Sequence, residues 1–272
     1  MSLNRDTAKM FRKSRPPVSA PQSELRITEV ARQSVADVFK MGVSERAISN
    51  VVASIADLAE ALTEEQKQSD PPDFPIACRA GCSHCCYMRV LVTAPEVIFL
   101  LQFIRETFTE VKLLQLISRL QETDGATRGM SEEDRGDSGI PCPLLVDNHC
   151  SVYEVRPLEC RGYVSMSVDA CRKALDDYSA WDVPLYFPQY SIFKHIQAGL
   201  MSALSDSGYA FELFELTAAL RIGLEVPNAV DRWLAGENVF QPAALSPADP
   251  ERLALQPWTP TFDIPKRRRA VP

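Results

Sequence analysis

The sequence lacks a long apolar run and an excess of basic residues. Its longest dense apolar stretch runs from Val97 to Ile104 and is interrupted by Gln102, whereas a membrane-spanning helix needs about 20 apolar residues. The formal net charge is −7, which argues against broad nucleic-acid binding because that binding requires a basic surface. We therefore expect no nucleic-acid partner and no membrane association.

The sequence also lacks several signatures of targeting and catalysis. The N-terminal residues have no apolar core of signal-peptide length, so we expect a cytoplasmic protein. There is no glycine-rich phosphate loop and no evident Ser/His/Asp arrangement. The carboxylate pairs Glu64-Glu65 and Asp176-Asp177 lie in polar helix ends, where solvated charge is the ordinary interpretation. The sequence therefore assigns no reaction and no catalytic residue.

Helical periodicity dominates what is present. Apolar residues recur at helical spacing in eight segments, which are approximately 24–40, 44–62, 94–108, 110–122, 167–178, 189–206, 211–225 and 228–235. The predicted fold class is mainly α, with one helical domain over residues 24–240. It includes a small irregular cysteine-rich metal-binding layer with short strands, at about 76–172. Residues 1–23 are expected to form a flexible tail, and 241–272 a Pro/Ala-rich, basic C-terminal tail.

Local signals place the ends of some elements. Ser44 is a candidate helix N-cap, and Thr93 with Glu96 has the spacing of a capping box. Asp147-Asn148 is a turn signal between two short extended pieces. Residues 123–139 are polar and without an apolar pattern, so we expect a mobile surface loop there.

The main chemical feature is a set of eight cysteines, four of which lie within nine residues at the spacing C-x3-C-x2-C-C. The candidate metal ligands are Cys78, Cys82, Cys85, Cys86, Cys142, Cys150, Cys160 and Cys171. Thiolates bind soft metals, and a tetrahedral site needs four ligands. In a reducing compartment, clustered thiols are more often metal ligands than disulfides.

Two arrangements of these cysteines are open at this point. Eight thiols could supply two four-sulfur sites, or one cluster plus spare redox thiols. Cys85 and Cys86 are adjacent and cannot easily point at the same ion, so either they serve different metals or one of them does not ligate. The alternative without a metal is that these are ordinary buried cysteines, which behave as small apolar residues. The polar surroundings of the first four cysteines fit that interpretation badly.

Residues beside the cysteines are candidates for supporting roles. His84 and His149 are interpreted as outer hydrogen-bonding partners in preference to ligands, and His195 as a surface or core residue. Arg156 and Arg161 could donate to thiolates, or form salt bridges to Glu154 or Glu159; the two interpretations weigh equally. The aromatic residues that could shield a cluster from water are Tyr87, Tyr153 and Tyr163.

Together these residues resemble the YkgJ-type cysteine-cluster family of zinc- or iron-chelating proteins, known by a CxxCxxCC-type pattern. The first matching motif is Cys78 to Cys86, followed by Thr93-x-x-Glu96. The second is Cys142-Pro143-Leu144, then Cys150-Ser-Val-Tyr153-Glu-Val-Arg156-Pro157-Leu-Glu-Cys160-Arg161, and Cys171 completes the eight. One departure is Gly162-Tyr163 after Arg161, where the family leads us to look for an aromatic residue directly.

The resemblance implies a metal-binding protein that holds an iron–sulfur cluster or zinc through its eight cysteines. Our first hypothesis adds a redox or electron-transfer role, with a protein partner that the sequence does not identify. A second is an S-adenosylmethionine-dependent protein lysine methyltransferase. It is suggested by similarity to flagellin lysine methylases and by the radical-enzyme spacing C-x3-C-x2-C. The strand–helix alternation of a barrel is missing, which argues against it. A third is a structural zinc module for protein–protein interaction.

Overall fold

The computed structural model describes residues 20–177 and 182–245. Within these residues the chain forms ten α-helices. They are α1 (Ala20–Met41), α2 (Glu45–Ser69), α3 (Ala94–Thr107), α4 (Glu110–Thr127), α5 (Glu132–Asp137), α6 (Leu158–Gly162), α7 (Val168–Asp176), α8 (Phe187–Asp206), α9 (Leu216–Glu225) and α10 (Ala229–Leu234). None of these helices is long and apolar enough to cross a membrane.

The strands in the described residues are short and form two antiparallel pairs. Strand β1 (Leu91–Val92) pairs with β4 (Phe214–Glu215), and β2 (Leu145–Val146) pairs with β3 (His149–Cys150). Short 3₁₀ turns cover His84–Tyr87, Tyr153–Val155 and Gln241–Ala243. The predicted fold class, mainly α with a small irregular layer that contains short strands, is therefore confirmed.

The apolar core is built around α3 and α8. Helix α8 packs along α1 and also contacts α2 and α6, while α3 lies between α2 and α9, and α9 also packs on α4. Six apolar side chains of α3 are fully buried: Ala94, Val97, Ile98, Leu100, Leu101 and Ile104. Because these residues lie on most faces of the helix, α3 is buried nearly all round.

Most predicted helices are present, with shifted ends. Ser44 caps α2, since its Oγ accepts a hydrogen bond from the Ala47 backbone N–H at 3.2 Å. Helix α1 begins at Ala20, inside the predicted tail of residues 1–23, and the rest of that tail lies outside the described residues. Gln241–Ala243, at the start of the predicted C-terminal tail, forms a turn in which Ala243 is buried; residues 246–272 lie outside the description.

The predicted helix at 211–225 begins only at Leu216. Phe214 and Glu215 form β4 instead, because their main chains pair with Val92 and Leu91 in β1. The Glu215 side chain then caps the helix, accepting a hydrogen bond from the Ala218 backbone N–H at 2.7 Å. The strand pairing is long-range, so the local helical period could not reveal it.

The prediction of a mobile loop at 123–139 is wrong. Helix α4 continues to Thr127, and α5 occupies Glu132–Asp137. The buried Asp124 carboxylate pairs with Arg128 and Arg221, at 2.6 and 2.9 Å. The buried Arg135 guanidinium donates to the carbonyl oxygens of Tyr87 and Ile140. Charged side chains order this segment, which explains why it shows no apolar pattern.

We predict that Gly199→Ala lowers the free energy of unfolding by about 1–3 kcal/mol, as overpacking does in well-packed cores. Gly199 lies where α8 crosses α1, and a Cβ there would sit 2.4 Å from the Thr28 carbonyl oxygen and 2.6 Å from Ala31 Cβ. The two helix backbones would have to separate. Urea unfolding followed by circular dichroism measures the change.

The matched control is Gly125→Ala in α4, where a Cβ meets no atom within 4 Å. That variant should be more stable than the wild type by roughly 0.5–1 kcal/mol, because alanine loses less entropy in a helix. If both variants were stabilised alike, the close packing of α1 on α8 would be contradicted.

Candidate metal centre

The structure gathers the eight cysteines into one layer, built from separate segments of the chain. The C-x3-C-x2-C-C segment enters from an extended stretch and ends in the His84–Tyr87 turn. The β2–β3 hairpin brings Cys142 and Cys150, α6 brings Cys160 and α7 brings Cys171. All eight are free thiols and all are half-buried.

Main-chain hydrogen bonds hold these segments together. The Cys142 N–H donates to the Cys86 carbonyl oxygen at 2.6 Å, which joins the hairpin to the first motif. The Ala77 N–H donates to the Ser165 carbonyl at 2.9 Å, and the Ser165 N–H donates to Cys78 Sγ at 3.0 Å. The first two contacts use only the backbone, so they hold the segments whatever the orientation of the thiols, and the third also fixes the Cys78 thiol.

The hairpin has the turn that the sequence predicts. Asp147 and Asn148 have positive φ angles of 49° and 60°, which is typical of a two-residue type I′ turn and of these residue types. The resulting register places Cys150 opposite Leu145. The Leu145 N–H donates to the Cys142 carbonyl at 2.9 Å, so the hairpin brings Cys142 and Cys150 to neighbouring positions.

The buried carboxylate of Glu96 positions Cys160. One oxygen accepts hydrogen bonds from the Thr93 N–H and hydroxyl, both at 2.8 Å, which confirms the predicted capping box. The other accepts from the Leu158 N–H at 2.9 Å, at the start of α6. The sequence motif indicated the first role but gave no sign of the second, because Leu158 lies 62 residues away.

A second carboxylate, Glu159, fixes α6 on its other side. It accepts a hydrogen bond from the Leu91 N–H of β1 at 2.5 Å and forms an ion pair with Lys194 of α8 at 2.8 Å. Cys160 therefore follows directly after a residue that is tied to two elements of the scaffold. The sequence showed Glu159 only as a candidate partner of Arg156 or Arg161.

The protein environment holds most of these thiols in the neutral form. Burial raises the pKa of Cys78 to about 11 and that of Cys142 to about 12, and it raises the pKa of Cys160 well above the usual thiol value. Burial disfavours charge unless a nearby cation compensates it. A metal cation is such a compensating charge, because a coordinating thiol is deprotonated by the ion itself.

Cys85 and Cys86 behave differently from the rest because they contact one another. The hydrogen bond between their side chains lowers the pKa of Cys85 to about 7 and raises that of Cys86. The charge of Arg156 also contributes to the lowered pKa of Cys85. The guanidinium of Arg156 lies 4.1 Å from the centre of the Tyr153 ring.

Cys85 interacts with more of the other cysteines than any other thiol in the described residues. Its thiol interacts electrostatically with five of the other cysteines, which are Cys78, Cys86, Cys150, Cys160 and Cys171. Among the described side chains, no group of three or more Cys, His, Asp or Glu residues is already arranged to hold a metal ion. Thiolate sulfur is a ligand that soft metals prefer, so the chemistry of the donor set fits a soft metal. Ligation nevertheless requires the thiols to turn toward a common point.

The two arginines near Cys160 have separate roles. Arg161 is buried and pairs with the carboxylate of Glu60 while donating to the carbonyl oxygens of Glu154 and Arg156. It therefore follows the salt-bridge interpretation, although its acidic partner is Glu60 and neither of the two predicted. Arg156 follows the other interpretation in part, since its charge favours the thiolate forms of Cys85 and Cys150.

The three histidines occupy unlike surroundings. His84 lines a small cavity together with Cys85 and Cys171. His149 is exposed, with Nδ1 2.7 Å from the Asp147 carbonyl, and its Nε2 faces Gly81 of the first motif. His195 is buried between α8 and α1 against Thr28, at 2.9 Å, so it belongs to the core.

The three tyrosines shield the layer unequally. Tyr87 and Tyr163 line the cavity beside Cys85 and Cys171, so their rings do border two of the cysteines. Tyr153 is 40% exposed and stacks with Arg156 instead.

Tyr163 follows Gly162, the position where the sequence departs from the family pattern. A Cβ at Gly162 would lie 2.7 Å from Phe193 Cβ, so an aromatic residue does not fit there.

Residues 77–179 match the family model described as "Putative zinc- or iron-chelating domain" (CxxCxxCC). The match contains all eight cysteines and fewer than half of the 272 residues. It confirms the resemblance to the cysteine-cluster family, and its description agrees with the expected cofactor, iron or zinc. No curated protein and no solved structure matches the chain.

We predict that Glu96→Ala destabilises the fold by about 1–3 kcal/mol, because it leaves the buried Thr93 and Leu158 N–H groups without their acceptor. Since Leu158 begins the helix that carries Cys160, metal affinity should also fall by about 10-fold, as for other residues that orient ligands. Thermal unfolding and competitive zinc titration measure the two effects.

The control is Glu106→Ala, on the same helix, where the carboxylate is exposed and accepts a hydrogen bond from the Gln102 side chain. It should change stability by no more than about 0.5 kcal/mol. Unchanged zinc affinity in the Glu96 variant would show that this carboxylate does not position Cys160.

Proposed function

We propose that this protein holds iron, as an iron–sulfur cluster, through its eight cysteines and uses it in electron transfer. The observation that carries the proposal is that separate segments bring eight free thiols into one layer, in which Cys85 interacts with five of the others. A cluster held by thiolates carries negative charge and is stabilised by nearby donors and cations. The layer offers both.

Backbone donors to sulfur are the first support. The Ser165 N–H donates to Cys78 Sγ, and the backbone N–H groups of Leu144 and Val152 bond Cys142 and Cys150. Hydrogen bonds to the ligating sulfurs are one of the means by which proteins tune the potential of an iron–sulfur cluster. The positive charge of Arg156 acts on the same group of thiols.

The position of the layer is the second support. All eight cysteines are half-buried, so the site is neither sealed in the core nor open to bulk water. Tyr153, which is 40% exposed, and the exposed His149 lie at the outer side of the same layer. A redox protein partner docking on this face would reach the cysteines over a short path.

A structural zinc module is the alternative that the cysteine layer itself suggests. Its segments, however, are anchored in the main core by fully or nearly fully buried apolar residues, which are Leu144, Val152 and Leu158. A zinc-dependent fold would lose its structure on metal removal. We expect instead that chelation leaves the far-ultraviolet circular dichroism of the helices largely unchanged, and loss of the helices would favour the zinc module.

The methyltransferase alternative has less support. Radical enzymes leave one iron of their cluster open, with three thiolates on the others. Here Cys171 interacts with Cys78, Cys82 and Cys85 and is available as a fourth thiol. The described strands form only two-stranded antiparallel sheets, which do not amount to a barrel. Absence of S-adenosylmethionine binding in a calorimetric titration would agree with this assessment.

The experiment that tests the proposal is purification without oxygen, followed by iron and acid-labile sulfide assays and a visible spectrum. We expect iron and sulfide in similar amounts, and a brown colour that dithionite bleaches and mild reoxidation restores. Zinc alone with a colourless protein would overturn the iron–sulfur and redox parts of the proposal. Protein with eight reactive thiols and no metal would overturn metal binding as a whole.

A further inference from the structure

We propose that the eight cysteines form two adjacent four-thiol metal sites, divided between Cys85 and Cys86. Site A consists of Cys78, Cys82, Cys85 and Cys171. Site B consists of Cys86, Cys142, Cys150 and Cys160. The inference rests on the proposed metal binding and adds to it which thiol belongs to which ion.

Site A is assembled around Ser165. The backbone N–H of Ser165 donates to Cys78 Sγ at 3.0 Å, and its hydroxyl contacts the Cys171 thiol. Cys171 reaches Cys85 from the other side: helix α7 packs on the His84–Tyr87 turn, and the two cysteines line one cavity. The charges of Cys78 and Cys171 both interact with Cys82. These contacts draw the four thiols of site A together.

Site B is assembled around the hairpin. The Cys142 N–H donates to the Cys86 carbonyl at 2.6 Å, and the hairpin brings Cys150 beside Cys142. The thiol of Cys160, presented by α6, interacts with both Cys142 and Cys150, while Cys86 interacts with Cys142 and Cys160. Within the described residues, the electrostatic interactions between thiols that cross from one set to the other all involve Cys85.

The 3₁₀ turn at His84–Tyr87 explains why neighbours belong to different sites. A 3₁₀ helix has three residues per turn, so adjacent side chains diverge by about 120°. Cys85 and Cys86 are adjacent within this turn and their side chains contact one another at the boundary. Cys85 lines the cavity together with Cys171, whereas the Cys86 carbonyl accepts a hydrogen bond from the Cys142 N–H. Cys85 also interacts with Cys150 and Cys160, which places it at the boundary between the two sites.

The test counts zinc ions bound to the metal-free full-length chain by native mass spectrometry under anaerobic conditions. Four thiolates per ion imply about two zinc ions per wild-type chain. Cys171→Ser should lose one ion, and Cys160→Ser should lose the other. Each single variant should therefore bind about one ion, with helicity checked by circular dichroism.

Double variants assign the adjacent pair. Cys85→Ser combined with Cys171→Ser damages site A twice and should retain about one ion. Cys86→Ser combined with Cys171→Ser damages both sites and should retain none. The two doubles differ only in which neighbour is changed, so each is the matched control for the other. Cys82→Ser replaces Cys171→Ser if the latter does not fold.

The outcomes separate the two levels of inference. A wild-type chain that binds no zinc here and carries no iron when purified without oxygen contradicts the proposed function itself. A wild-type chain that binds zinc, with every single variant losing all of it, contradicts the division into two sites and indicates one shared cluster. Equal zinc retention in the two double variants contradicts the assignment of Cys85 and Cys86.

Discussion

The hydrogen bond between the Glu96 carboxylate and the Leu158 N–H joins the helical core to the cysteine layer. Glu96 lies in the first turn of α3, the helix whose apolar faces are most completely buried. A buried carboxylate is costly unless its oxygens accept hydrogen bonds, and here donors on Thr93, Leu158 and Gln197 satisfy it. The burial of α3 in the core therefore fixes the backbone at Leu158, two residues before Cys160.

The position of the layer follows from this arrangement. The Glu159 side chain joins α6 to β1 and α8. The β2–β3 hairpin is joined to the first cysteine motif by the hydrogen bond from the Cys142 N–H to the Cys86 carbonyl. These contacts of the scaffold gather the segments without using sulfur, and the Ser165 N–H adds one hydrogen bond to Cys78 Sγ. What burial alone cannot provide is compensation for thiolate charge, and a metal cation supplies it. Because the scaffold positions the cysteines and the metal compensates their charge, a stable helical fold can carry a layer of reactive thiols.

The sequence predicted those features that depend on local pattern. The N-cap at Ser44, the capping box and the Asp147-Asn148 turn are all set by residues within a few positions of one another. The cysteine spacing indicated a metal site and a family, and the family match agrees. That all eight cysteines are ligands stays a prediction.

What the sequence could not predict depends on partners far along the chain. The segment at 123–139 was expected to be a loop because its order comes from the Asp124–Arg221 ion pair and from Arg135 rather than from apolar residues. Likewise, the second role of Glu96 and the partnership of Arg161 with Glu60 join residues 62 and 101 positions apart. No local pattern marks such pairs.

The most direct test of the account is the metal-edge X-ray absorption spectrum of the protein purified without oxygen. If the cysteines hold the metal, the first coordination shell should consist of sulfur at about 2.3 Å, with no nitrogen or oxygen shell near 2.0–2.1 Å. A shell dominated by nitrogen or oxygen would show that the thiols are not the principal ligands. That result would contradict the central claim for the cysteine layer.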